Sequence, residues 1–163
     1  ARDGGAIRIE RAEDTDAANR IWRIRHDALF AARALRPGIK GISTDVCVPV
    51  SRLPECIREI QAVIAGTGIQ APLIGHVGDG NFHLVLLFDP ADPEETAKAK
   101  RINSTLVALA QSMGGTCTGE HGVGLGKKDY MEAEHGPALD LMRRIKDQFD
   151  PDGILNPGKL LPD

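Results

Sequence analysis

Between Leu73 and Phe88 the chain reads LIGHVGDGNFHLVLLF, which sets His76, Asp79, Asn81 and His83 in an otherwise apolar run. Two of the chain's five histidines stand here. A neutral imidazole ligates metals and accepts a proton near neutral pH, so a paired placement points to a metal ion or to acid–base chemistry. Asp79-Gly80 is the dipeptide of a two-residue type I′ hairpin turn, and strand-forming residues flank it. That turn pairs Gly78 with Asn81, Val77 with Phe82, and His76 with His83. Directly opposed residues have Cβ atoms about 4.5 to 5.5 Å apart, within reach of one ion or one substrate. By the period of two, Asn81 shares the face of His83, while Val77, Phe82 and Leu84 turn toward the core.

A second polar cluster, GTCTGEHGVGLGKK, sets Glu120 beside His121 at the end of an expected strand, with Gly119, Gly122, Gly124 and Gly126 around them. Two neutral histidines and one carboxylate form a common catalytic set for zinc or manganese that leaves positions open for substrate. His76, His83 and Glu120 are the expected ligands, and His121 is left over as a base. The competing reading is a non-catalytic metal-binding α+β module, whose site a fourth protein ligand would close. Arg25 shares a helix face with Trp22 and Leu29, and a guanidinium beside an apolar stripe needs an anion. That anion is either an acidic side chain of the same chain or a substrate carboxylate held by two hydrogen bonds. Lys40 follows the Pro37-Gly38 break and either serves the same anion or is solvated.

Other motifs fail on spacing. GVGLGKK lacks the first glycine of a P-loop, because His121 stands there, and Lys128 occupies the Ser/Thr position. Neither GDGNFH nor GVGLGK completes a dinucleotide fingerprint, and no βαβ unit surrounds them. There is no H-E-x-x-H and no G-x-S-x-G.

The elements that must position these residues alternate along the chain. Glu13 to Leu35 carries Ile21, Ile24, Ala28, Ala31 and Leu35 at helical spacing and stops at Arg36-Pro37-Gly38. STDVCVPV reads as a short strand, and Ser51 is placed to cap a helix running to about Ile64. Asp89-Pro90 leads into a helix carrying Ile102, Leu106, Leu109 and Met113. A last helix with Leu139, Met142, Ile145 and Phe149 ends at Asp150-Pro151, and the tail ILNPGKLLPD reads as extended. These elements predict an α+β layer, an antiparallel sheet with helices packed on one face.

Composition narrows the function classes. The 163 residues are 42% hydrophobic, enough for one packed core, and the net charge of −3 comes from 20 basic and 23 acidic residues without a like-charged run. Nothing suggests a nucleic-acid footprint. The three cysteines, Cys47, Cys56 and Cys117, are odd in number and show no C-x-x-C spacing, so a disulfide framework is not expected. With no signal peptide at the start, a reducing compartment is expected.

GHVGDGNFH, GGTCTGEHGVG..K (ending at Lys127) and IKDQFDPDGILNPGK together resemble the C-terminal domain of the FAD-linked oxidases of the vanillyl-alcohol-oxidase type. RHDALFAARALRPGIKGISTDVCVPVSRLPE is similar to the branch of that family that acts on D-lactate. The resemblance implies a ferredoxin-like cap domain, with His76, His83 and Glu120 at metal-ligand positions and His121 at that of the base. It sets Arg25 on the substrate carboxylate, Asn81 in the same pocket, and Asn156 and Lys159 in the tail that returns toward the flavin. The implied cofactors are FAD, bound mainly by a preceding domain that these residues do not contain, and a divalent metal, zinc or manganese. The implied reaction oxidises a D-2-hydroxy acid, D-lactate to pyruvate, with hydride passing to flavin N5 and electrons to an external acceptor such as cytochrome c. D-2-hydroxyglutarate and glycolate enzymes carry the same histidine and glutamate motifs. On this reading residues 1–163 are one substrate-binding domain, inactive alone, from a bacterial cytoplasmic or eukaryotic mitochondrial enzyme, and a homodimer is open.

Overall fold

A computed structural model of the chain describes residues 7, 11–39 and 41–162. Lys40 lies outside the described residues. Helix α1 spans Thr15–Ala34, and Asp14 caps it by accepting the Ala17 N–H. Strands β1 (Gly41–Ser43) and β2 (Val46–Cys47) follow, then α2 (Leu53–Ile64), β3 (Leu73–His76) and β4 (Asn81–Leu87). Helix α3 covers Pro93–Ser112, the short α4 covers Met131–His135, and α5 covers Ala138–Phe149. Two 3-10 turns, Val50–Arg52 and Lys128–Tyr130, precede α2 and α4.

The sheet is antiparallel and centres on β4, which pairs with β3 along one side and with β1 and β2 along the other. Both sides of β4 are covered, and all seven of its residues are buried. Phe82, Leu84, Leu86 and Phe88 point to the main core, where Ile60 of α2 and Ile102 and Leu106 of α3 meet them. This is the expected α+β layer, with α2 and α3 packed on one sheet face. On the opposite face Val85 and Leu87 meet Leu29 and Ala32 in the last turns of α1. Arg36 anchors that end of the helix by a two-point ion pair to Glu95 of α3, at 2.7 and 3.1 Å. Ile21, Ile24 and Leu35 of the expected apolar stripe remain exposed, and only Leu29 and Ala32 of α1 join this apolar cluster.

Four local expectations are corrected. The hairpin is longer than two residues: His76 pairs with Asn81, Gly75 with Phe82 and Ile74 with His83. A type I′ turn needs positive φ at both central residues, and here only Gly80 adopts it, at 75°. Gly80 cannot be otherwise, because its carbonyl accepts the Val48 N–H and a Cβ on it would lie 2.0 Å from the Val48 carbonyl oxygen. Val77 accordingly sits in the turn, 68% exposed, and not in the core. Ser51 falls inside the first 3-10 turn and does not cap α2, whose first turn contains Pro54 and so has one N–H fewer to satisfy. The strand expected before Glu120 shrinks to a single bridge between Thr116 and Cys47. The tail is turned, not extended: Asp150 accepts the Ile154 and Leu155 N–H groups, and Asn156 takes a φ of 47°.

Candidate metal and substrate site

The site lies on the sheet face that α1 covers. The hairpin register moved by an even number of residues, so side-chain parity survived and His76, Asn81 and His83 still share this face. The two imidazoles are diagonal neighbours, not direct partners, with centroids 5.9 Å apart and planes nearly perpendicular.

Thr44 orients the buried ring of His83. Between β1 and β2 its carbonyl leaves the ladder and accepts the His83 Nδ1–H at 2.8 Å. Its hydroxyl takes over the vacated ladder position by accepting the Leu84 N–H at 2.8 Å. A carbonyl only accepts, so Nδ1 carries a proton, and in the neutral ring the lone pair is on Nε2. That Nε2 meets Glu120 Oε1 at 2.9 Å. Arg25, one turn before Leu29 on α1, donates to His76 Nε2 at 2.7 Å. A guanidinium only donates, so His76 Nε2 also carries a lone pair, 3.4 Å from the same Glu120 oxygen. Two imidazole nitrogens and a carboxylate oxygen therefore converge, with ligand atoms within 4.8 Å of one another. Such a donor set repels itself unless a cation or a proton sits among it, and its chemistry fits a divalent metal.

His121 stands beside this group. Its half-exposed ring stacks on that of His83 with centroids 5.0 Å apart and planes 12° from parallel. Its Nε2 is 3.7 Å from Glu120 Oε1. A cavity of about 380 Å³ opens here between Cys47, His76, Asp79, Asn81, Gly119 and Glu120. Asn81 donates through Nδ2 to Asp45 Oδ1 and to the Val46 carbonyl, which leaves its buried Oδ1 without a partner among the described residues. Asn156 and Lys159 are exposed on the tail, which the Leu160 N–H fastens to the Gly124 carbonyl in the loop after His121.

Asp45 and Lys127 stand at the site, and the sequence reading gave neither of them a role. The Asp45 side chain is fully buried and accepts the backbone N–H of Glu120 and of His121, the Asn81 amide and the Lys127 ammonium. Burial alone would push its carboxyl up, but the hydrogen bonds from Lys127, His121, Asn81 and Glu120 outweigh that and hold it well below the usual carboxylate range. A carboxylate inside the apolar alternation TDVCVPV was the available signal. Gly119 has to be glycine here, because a Cβ would come within 1.7 Å of Asn81 Nδ2.

Residues 1–160 match the family described as FAD linked oxidases, C-terminal domain. The chain belongs to that family. Among relatives of this FAD-linked oxidase domain is the probable mitochondrial D-lactate dehydrogenase of Danio rerio, 48% identical over 98% of the chain and 32% of the relative. The mitochondrial D-lactate dehydrogenase (cytochrome) of Arabidopsis thaliana is 47% identical over 93% of the chain and 27% of the relative. The glycolate oxidase subunit GlcD of Bacillus subtilis is 33% identical over 98% of the chain and 34% of its own length. The chain thus spans about a third of the curated relatives it matches. In fold, the domain is similar to the 4-ethylphenol oxidase from Gulosibacter chungangensis solved with isoeugenol, with a TM-score of 0.62 at 20% identity over 93% of the chain and 32% of that structure. All three cysteines are free, as expected. Among the described residues no helix is long and apolar enough to cross a membrane.

Proposed function

We propose that this domain binds substrate and metal in an FAD-dependent D-2-hydroxy-acid dehydrogenase, with D-lactate as substrate and pyruvate as product. The convergence of His76 Nε2, His83 Nε2 and Glu120 Oε1 carries the reading. The D-lactate dehydrogenases among the relatives support the substrate, and the glycolate oxidase subunit marks the alternative of a different 2-hydroxy acid. His76, His83 and Glu120 would hold zinc or manganese. When bound, the metal supplies a Lewis acid and FAD supplies the electron-pair acceptor. FAD is assigned to a separate domain in cis, with Asn156 and Lys159 facing it from the tail. Electrons then pass to an external acceptor such as cytochrome c, and a mitochondrial location follows the names of the relatives.

Arg25 and His121 do the work of this chain on the substrate. His76 Nε2 has one lone pair, which serves either Arg25 or a metal. With that nitrogen committed to a bound metal, Arg25 would be free to hold the substrate carboxylate at the rim of the site. Asn81 Oδ1 offers a buried acceptor to a substrate hydroxyl, and His121 receives the C2 hydroxyl proton. Arg25→Ala is expected to raise KM for D-lactate about 10- to 100-fold, the worth of a hydrogen-bonded charge, with a smaller effect on kcat. Steady-state kinetics on the flavin-containing enzyme decide this, and an unchanged KM would remove Arg25 from the substrate.

The metal assignment is tested by titrating the metal-stripped chain with zinc and with manganese in a calorimeter, alongside His83→Ala. One-to-one binding is expected, weakened in the variant by more than the roughly 10- to 100-fold that loss of an outer-shell partner costs. A folded wild-type chain that takes up neither ion would end the metal reading.

A further inference from the structure

Lys127 ends the GGTCTGEHGVG..K motif without a role of its own, and the nucleotide-binding motif that it also suggests is incomplete, yet its side chain is only 17% exposed. It lies 2.7 Å from Asp45 Oδ2 and also donates to the Asp45 carbonyl at 3.1 Å. Asp45 in turn accepts from the N–H of Glu120 at 3.1 and 3.2 Å and from the N–H of His121 at 2.9 Å. It also holds Asn81 Nδ2 at 2.9 Å and the Thr118 hydroxyl at 3.3 Å. One carboxylate therefore joins three residues of the proposed site that come from two separate parts of the chain.

We infer that Asp45 and Lys127 form a positioning clamp for the reaction, which sets the Glu120-His121 loop against the histidines of the sheet. The inference rests on the proposed roles of Glu120 and His121. Around that dipeptide the loop has no sheet ladder of its own: beyond the single Thr116 bridge the Cys117 N–H goes to Glu134 and the Thr118 N–H to the Thr116 hydroxyl, while the N–H groups of Glu120 and His121 themselves go to Asp45. The glycines on either side leave the segment locally free, with Gly122 and Gly124 at positive φ. A loop of this kind keeps a carboxylate and an imidazole in one geometry only if something external fixes its backbone. Lys127 fixes the carboxylate that does so. Its two-point grip on the Asp45 side chain and carbonyl prevents rotation about χ1 that would release the loop donors. Neither residue is assigned contact with substrate, so both are positioning residues.

The test compares wild type, Lys127→Arg, Lys127→Met and the double variant Asp45→Asn/Lys127→Met. It measures amide hydrogen exchange at Glu120 and His121, zinc affinity by calorimetry, and helix content by circular dichroism. Lys127→Met is expected to speed exchange at both amides at least tenfold and to weaken zinc binding at least tenfold, with Lys127→Arg restoring most of both. Should the single methionine variant unfold through its buried unpaired carboxylate, the double variant, which removes both charges, is expected to fold and to show the same two losses. Unchanged exchange in a folded variant overturns the clamp. Faster exchange with wild-type zinc affinity overturns its positioning role. Failure of the wild-type chain to bind zinc refutes the metal reading itself, and with it the role built on that reading.

Discussion

His121→Ala in the flavin-containing enzyme is expected to lower kcat for D-lactate about 10²- to 10⁴-fold, the usual worth of a positioned general base, while zinc content stays near that of the wild type. The separation follows from geometry. The His121 ring stacks on His83 and stands 3.7 Å from Glu120 Oε1, beside the group of His76, His83 and Glu120; it also lies within ligand spacing of Asp45 and His83, but Asp45 is already taken up by Lys127 and the loop N–H groups. Its backbone N–H, which Asp45 holds, is untouched by the substitution. His83→Ala should show the reverse order of effects, losing metal first and turnover as a consequence. Parallel elemental analysis and steady-state kinetics distinguish the two. Wild-type turnover in His121→Ala would assign the proton to another group, and loss of zinc there would make His121 a ligand.

Asp45→Ala is expected to cost about 3 to 5 kcal/mol of folding stability, because it leaves the Lys127 ammonium inside the protein without its partner. The same change strips acceptors from the Glu120 and His121 N–H groups and from the Asn81 amide. For a chain of this size the loss corresponds to a fall in Tm on the order of 10 °C. Replacing a well-exposed carboxylate such as Asp140, paired only with Arg143 across one helical turn, should move Tm by about 1 to 2 °C at most. Thermal unfolding of the two variants side by side checks the contrast. A fall for Asp45→Ala no larger than that for Asp140→Ala would mean that water replaces the missing carboxylate in the native state.

Much of the chemistry was legible because residue type and parity survive local error. Whichever turn closes the hairpin, an even shift in register leaves His76, Asn81 and His83 on one face, so the grouping did not depend on reading Asp79-Gly80 correctly. Helices α3 and α5 followed from their apolar spacing, and the end of α2 near Ile64 was also legible. The turn was misread because the deciding contact is tertiary: Gly80 packs against Val48, more than thirty residues earlier in the chain, and a dipeptide rule has no access to that distance. The strand before Glu120 failed for a related reason, since Asp45 takes the N–H groups of Glu120 and His121.

From the sequence alone came the α+β class, the histidine pair, the Glu120-His121 dipeptide and the family resemblance, all properties of composition, periodicity and short motifs. Arg25 came as a question, because helical spacing shows which face a guanidinium occupies but not what waits there. The tertiary structure alone decided that α1 crosses the sheet so that Arg25 meets His76, that Thr44 sets the tautomer of His83, and that Asp45 with Lys127 holds the loop. Each of these joins residues between 39 and 82 positions apart. Partners at such separations are chosen by how the sheet and its covering helices pack, which no local pattern of side chains encodes.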